Sequence, residues 1–206
     1  MGTVILTLLA ALLWLALVLF FRRNRIWLLY YVTGSVGLAL LLIFAGVYLL
    51  PLAAGMEYAT AYAGHALSNL VGIPTYLFRA APNNIFVWVV EQTPGWTVVR
   101  VDLECSGMLE TAAWIGLLLF YPSWSLRKRL RLIALGAVGI FGANLVRVVA
   151  IIAILHAFGK QSIVIAHTFI GRLLFFGLVM LGMYWYVFSR LTIHSLADRI
   201  TARMRA

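Results

Sequence analysis

The chain has 206 residues, 64% apolar and 11% charged, with a mean hydropathy of +1.01. A soluble domain is about 45–50% apolar and about 25% charged. This composition therefore excludes an ordinary soluble enzyme, a disordered chain and a disulfide-stapled secreted module, and it is that of an integral membrane protein. The net charge of +10 comes from 16 Lys and Arg against 6 Asp and Glu, and its meaning depends on where the positive residues stand.

A membrane-spanning helix needs about 20 mostly apolar residues. Residues 3–21 supply the first and run directly into Arg22, Arg23 and Arg25. A secretory signal carries its positive charges before the apolar run; the reversed order predicts a retained helix with its N-terminus outside. Residues 26–50 form a second span that stops at Pro51. The segment from Met56 to Phe78 has Ala, Tyr and Leu at helical spacing and ends near Gly72 and Pro74, predicting an amphipathic helix at the membrane surface. Residues 85–90 and 96–103 are rich in β-branched and aromatic residues around the turn signal EQTPG, predicting a β-hairpin whose free edges can add an extended peptide. Residues 107–122, short and carrying Glu110, give a third span, and 132–157 and 168–189 give two more.

The predicted fold class is an all-α polytopic membrane protein with about five transmembrane helices, an outer-face amphipathic helix and a small hairpin. Its blocks are residues 1–50 (two helices), 51–106 (the outer-face helix and hairpin), 107–189 (a three-helix core) and 190–206 (a basic tail). With five alternating spans, segments 22–25, 123–131 and 190–206 share one side and hold 11 of the 16 positive residues. Arg79, Arg100 and Lys160 are on the other side. Positive residues concentrate on the cytoplasmic side, so the C-terminus is expected there. The charge is then accounted for by anchoring to membrane lipids, and no nucleic-acid partner is needed.

Ionisable residues within or at the edge of a span are functional candidates. Cys105, the single cysteine, lies where the hairpin enters the third span. Alone it reads as a small buried hydrophobe or a reactive thiol. Ser106 and Gly107 follow it at a helix start, where open backbone N–H groups would favour a thiolate and could hold an oxyanion. The neighbouring Glu104 works against a thiolate, so a cation must compensate. Arg147 is the candidate, placed in the outer half of the fourth span at about 1.5 Å per residue, with Asn144 on the same helix face. A structural ion pair between Arg147 and Glu110 is an equal reading. His167 heads the fifth span, where Gly171 one turn later would admit another backbone. His156 competes as a base, whereas His65 and His194 lie elsewhere. The layout puts Cys105, Arg147 and His167 near one membrane face, in a pocket expected between the third, fourth and fifth spans and open to that face. Thiol, proton carrier and cation are what acyl transfer needs. The histidines are scattered without an HExxH or CxxC pattern, so no metal is expected.

Cys105-Ser106-Gly107 at the outer start of one span, Asn144-x-x-Arg147 in the next and His167 at the head of the following one resemble the exosortase/archaeosortase family of prokaryotic membrane proteins. The resemblance covers roughly residues 55–185. It implies that Cys105 is the nucleophile, Arg147 the activating group and His167 the proton carrier, with Glu110 in support and no cofactor. It further implies a multi-pass protein of the prokaryotic plasma membrane. Its partners would be secreted proteins bearing a C-terminal motif, a transmembrane helix and a basic tail, and an envelope lipid or glycan acceptor. Two alternatives remain open on the residues: a hydrolytic membrane cysteine protease, and a non-catalytic scaffold in which Cys105 is packing. A transporter is disfavoured by the lack of inverted repeats.

Overall fold

A computed structural model describes residues 2–81, 84–92, 95–121 and 124–183. Its elements are α1 (Gly2–Arg23), α2 (Trp27–Tyr48), α3 (Leu52–Leu70), β1 (Thr75–Ala81), β2 (Asn84–Val90), β3 (Trp96–Val101), α4 (Met108–Leu119), α5 (Leu126–Phe158) and α6 (Gly171–Met183). A 3₁₀ turn, Leu103–Cys105, precedes α4, and a π-helix, Ile165–Ile170, leads into α6. The basic tail, with His194, and residues 184–189 of the fifth predicted span lie outside the described residues.

Among the described residues, three helices, α1, α2 and α5, are long and apolar enough to cross a membrane. The side chains of α1 are exposed almost throughout, as expected where lipid rather than protein surrounds an apolar helix. The other two predicted spans are shorter apolar helices, Met108–Leu119 and Ile165–Val179. Twelve residues of α4 rise about 18 Å, less than the roughly 30 Å hydrocarbon core.

Close helix approach is built from small residues, as in membrane bundles generally. Gly116 of α4 lies against the Ser35 carbonyl of α2, where a methyl group would collide. Gly34 of α2 is covered by the Phe120 ring. Trp14 of α1 donates to the Thr33 carbonyl at 2.9 Å and meets Phe120 edge-on. At 33 residues, α5 is about 50 Å long. That exceeds the roughly 30 Å hydrocarbon core, and the C-terminal half of α5 is the post on which the sheet is mounted.

The expected hairpin is present as β2 and β3, and a further strand extends it into a three-stranded antiparallel sheet in the order β1-β2-β3. The alternation of side chains along a strand buries Ile85, Val87, Val89, Val99 and Val101 against Ala61 of α3 and Val148, Ile151, Ile152 and Leu155 of α5. The missing strand, β1, occupies the end of the segment read as helix, which stops at Leu70 because Gly72 takes a positive φ of 82° and Pro74 cannot continue it. One face of α3 packs against protein. Thr60, Ala61, Gly64 and Ser68 are buried, and a Cβ on Gly64 would stand 3.0 Å from Val148.

Two histidines hold this layer together. His65 Nδ1 is 2.8 Å from Thr75 Oγ1, linking α3 to β1. His156 Nδ1 bonds the Val90 carbonyl, and Gln92 N–H donates to the His156 carbonyl. His156 is thereby occupied at the end of the sheet.

Candidate functional site

The strand β3 ends at Val101, and the chain turns immediately. Asp102 adopts an extended conformation and caps the 3₁₀ turn, accepting the Cys105 N–H on Oδ1 at 3.2 Å. Ser106 Oγ donates to the Leu103 carbonyl at 2.8 Å and accepts Met108 N–H at 3.2 Å. Gly107, with φ 74°, then reverses the chain into α4, a left-handed conformation that costs a side-chain-bearing residue roughly 1–2 kcal/mol. Of the N–H groups expected to be open after Cys105, that of Ser106 is engaged by the Leu103 carbonyl, and the Cys105 N–H is itself held by Asp102.

From α5, two side chains one turn apart grip this turn by consecutive carbonyls. Asn144 Nδ2 donates to the Cys105 carbonyl at 2.7 Å, and an Arg147 guanidinium nitrogen donates to the Glu104 carbonyl at 3.1 Å. Both residues are buried, Asn144 at 0% and Arg147 at 3% exposure. Arg147 also stands over the Phe175 ring of α6, 5.7 Å from its centroid. The ion pair of Arg147 with Glu110 is not formed: Glu110 Oε2 is buried without a hydrogen-bond partner, as are Arg147 Nε and Asn144 Oδ1. Glu104 instead pairs through its carboxylate with Arg172 at 3.3 Å, both side chains being largely exposed.

The third contribution comes from the π-helix. It widens the chain's path just before α6, a device often found at functional sites, and it carries His167. Gly171 closes it with the Ile151 side chain and the Ala166 carbonyl near the space a Cβ would take. The result is a contact between Cys105 Sγ and His167 Nε2 of 3.2 Å across 62 residues of sequence. Cys105, Arg147 and His167 thus converge, with Asn144, Ser106 and Gly107 around them.

Electrostatics differ from the expected activated thiolate. Burial pushes the Cys105 thiol up to about 11, Asp102 adds to the shift, and Arg147 opposes it without outweighing it. At neutral pH this corresponds to about one thiolate in 10⁴. The contact is then a thiol S–H facing a ring nitrogen, and the chemistry open to it is proton transfer during attack rather than attack by a preformed thiolate. Asp102 was not singled out from sequence, although Asp-x-x-Cys has the spacing of a cap. Phe175 was likewise absent from that reading, and Arg172 entered it only as a positive residue inside a predicted span.

A cavity of about 350 Å³ lies between α4, α5 and α6, lined by Trp114, Leu132, Gly136, Ile140, Ala143 and Val179. It occupies the half of these helices toward Arg127–Arg131, and neither Cys105 nor His167 lines it. Among the described residues, no three His, Cys, Asp or Glu side chains converge as a metal site would require.

Compared with known proteins, the chain matches no curated protein and no solved structure. One family model does match, described as transmembrane exosortase (Exosortase_EpsH), over residues 2–185. That range takes in every element from α1 to α6, and the chain belongs to the transmembrane exosortase family.

Proposed function

We propose that this membrane protein is a cysteine transpeptidase. In this reading it cleaves the C-terminal sorting signal of secreted proteins and passes the acyl group to an envelope lipid or glycan. The observation that carries the reading is the 3.2 Å contact between Cys105 Sγ and His167 Nε2.

Cys105 Sγ attacks the scissile carbonyl carbon while His167 Nε2 takes the thiol proton, so no free thiolate need accumulate. The carbonyl oxygen becomes an oxyanion, and Arg147 is a buried cation gripping the Cys105 turn; its Nε–H, without an acceptor among the described residues, is the donor assigned to that charge. His167 gives its proton to the leaving amine, the C–N bond breaks and a thioester remains on Cys105. An acceptor hydroxyl or amine, deprotonated by His167, then attacks the thioester, and the thiol regains its proton. Water in place of the acceptor gives hydrolysis by the same thioester.

Asn144 is a positioning residue. It fixes the Cys105 carbonyl, so that the Sγ direction is set by α5 rather than by a free turn. Burial of Arg147 in a low-dielectric setting strengthens its hold on developing charge. In this reading the Cys105 end faces outward, where translocated substrates emerge, and the Arg127–Arg131 end faces the cytoplasm in accord with the positive-inside rule.

Thioester trapping tests the proposal. Membranes containing the full-length protein and its native substrates are quenched in acid, and the Cys105 peptide is analysed by mass spectrometry. The expected result is an acyl adduct released by neutral hydroxylamine and missing from His167→Ala. A wild-type protein that processes substrate while Cys105 never carries an adduct, even with acceptor depleted, refutes it.

A further inference from the structure

The two edges of the sheet are not equivalent. Val90 N–H donates to the Pro74 carbonyl and Glu91 N–H to the Gly95 carbonyl, each at 3.2 Å. Hydrogen-bonded pairs alternate in an antiparallel ladder, so the registers Val89↔Thr97, Val87↔Val99 and Ile85↔Val101 are the bonded pairs between β2 and β3. Trp96, Val98 and Arg100 therefore turn their N–H and C=O groups away from β2, along the outer edge of β3. Among the described residues, none of these groups is taken by another element.

The β1 edge is blunted by two devices. Thr75 N–H, which also points away from β2, donates to Asn69 Oδ1 of α3 at 3.1 Å. The register then slips between Arg79 and Ala81, and such irregularities protect edges from further pairing. The β3 edge has neither device: all six of its residues pair in unbroken register, without proline, lysine or bulge. A regular, unprotected edge is a template for another strand. This one leads straight into the cap: Asp102 follows Val101, and Cys105 ends the next turn. The side chains beside the edge, Trp96, Val98 and Arg100, are exposed, with the Trp96 and Trp88 rings 4.8 Å apart. They offer an aromatic surface to alternate side chains of an added strand.

We propose that the free edge of β3 is the substrate subsite. An extended polypeptide pairs with Trp96, Val98 and Arg100 through its main chain and is thereby carried to the Cys105 thiol. The occupant is an extended peptide because only a main chain in that conformation supplies donors and acceptors at the spacing the edge presents. This inference rests on Cys105 acting as an acyl-accepting nucleophile, and it adds where and in what conformation the substrate lies. Main-chain pairing fixes position while leaving side-chain tolerance to the exposed face, which suits an enzyme acting on several secreted proteins.

The test uses the full-length protein in detergent and two thiol-directed probes, N-acetyl-Ala chloromethyl ketone and its tetra-alanine counterpart. Inactivation at Cys105 is read as the rate ratio of long to short probe within each protein. Each main-chain hydrogen bond is worth on the order of a fivefold gain, so the longer probe is expected to react on the order of tenfold to a hundredfold faster. Val98→Pro removes an outward N–H at a position where an edge strand tolerates proline, and it should cut the ratio by on the order of fivefold. A second arm leaves the protein unaltered. Tetra-alanine probes N-methylated at alternate residues should divide, one alternation losing the gain and the other keeping it. Equal rates for the long and short probes, or a gain indifferent to both alternations, overturns the subsite. A wild-type dimer that Val98→Pro dissociates also overturns it, because the edge then pairs with a second copy. If instead the short probe reacts with wild type and His167→Ala alike, the thiol–imidazole reading is what fails.

Discussion

Replacing Asp102 by Asn separates two jobs of one side chain. The amide oxygen can still accept the Cys105 N–H, now at 3.2 Å from the carboxylate, so the cap survives. The negative charge is lost. Two like charges on the order of 5 Å apart in an effective dielectric of about 20 repel by about 3 kcal/mol, or about 2 pK units. Asp102 is half-buried, and screening by solvent reduces this to a fall of about 1–2 units from the wild-type value of about 11. Below both values the thiolate fraction rises by about 10- to 100-fold, but nucleophilicity falls with a Brønsted slope of about 0.5. Net alkylation by iodoacetamide at pH 8 should therefore be about 3- to 10-fold faster in Asp102→Asn. The assay is the pH dependence of labelling at the single cysteine, followed by intact mass. An unchanged or slower rate refutes the electrostatic account of the Cys105 turn.

Three further outcomes follow from the same geometry. Asn144→Ala leaves the buried Cys105 carbonyl without its donor, which should cost about 1–3 kcal/mol and lower processing, read by thermal denaturation in detergent alongside substrate turnover. Gly107→Ala forces a Cβ into a left-handed conformation at φ 74° and should destabilise by about 1–2 kcal/mol in the same assay. Arg172→Gln breaks a pair exposed by 59% and 60%, and such surface pairs contribute at most about 1 kcal/mol. Its melting temperature should match that of wild type, and a large drop would show that the pair clamps the π-helix to the Cys105 turn.

The three long helices were legible because their apolar runs are about as long as a membrane span needs and are bounded by Arg22 and Pro51, although α5 begins at Leu126 and takes in the Arg127–Arg131 cluster read as a loop. The strand β1 was not. Thr75-Tyr76-Leu77-Phe78 has the same Tyr and Leu types as the helical segment before it, but Gly72 and Pro74 part it from α3 and it pairs with β2. Residue type, order and depth along the spans brought forward Cys105, Arg147 and His167. What they left open was lateral placement, which depends on the π-helix aiming His167 and on Asn144 and Arg147 holding adjacent carbonyls. The thiol's electrostatics depart from the expectation chiefly because Cys105 is buried. In addition Glu104, the sequence neighbour, turns away to Arg172, while Asp102 folds back over the Cys105 N–H.

The most direct test of the account is processing in the source cells with Cys105→Ala and His167→Ala, expressed at wild-type level and read from the C-termini of secreted proteins. The account predicts that both variants leave the C-terminal segment uncleaved. Continued cleavage with either residue removed would contradict it.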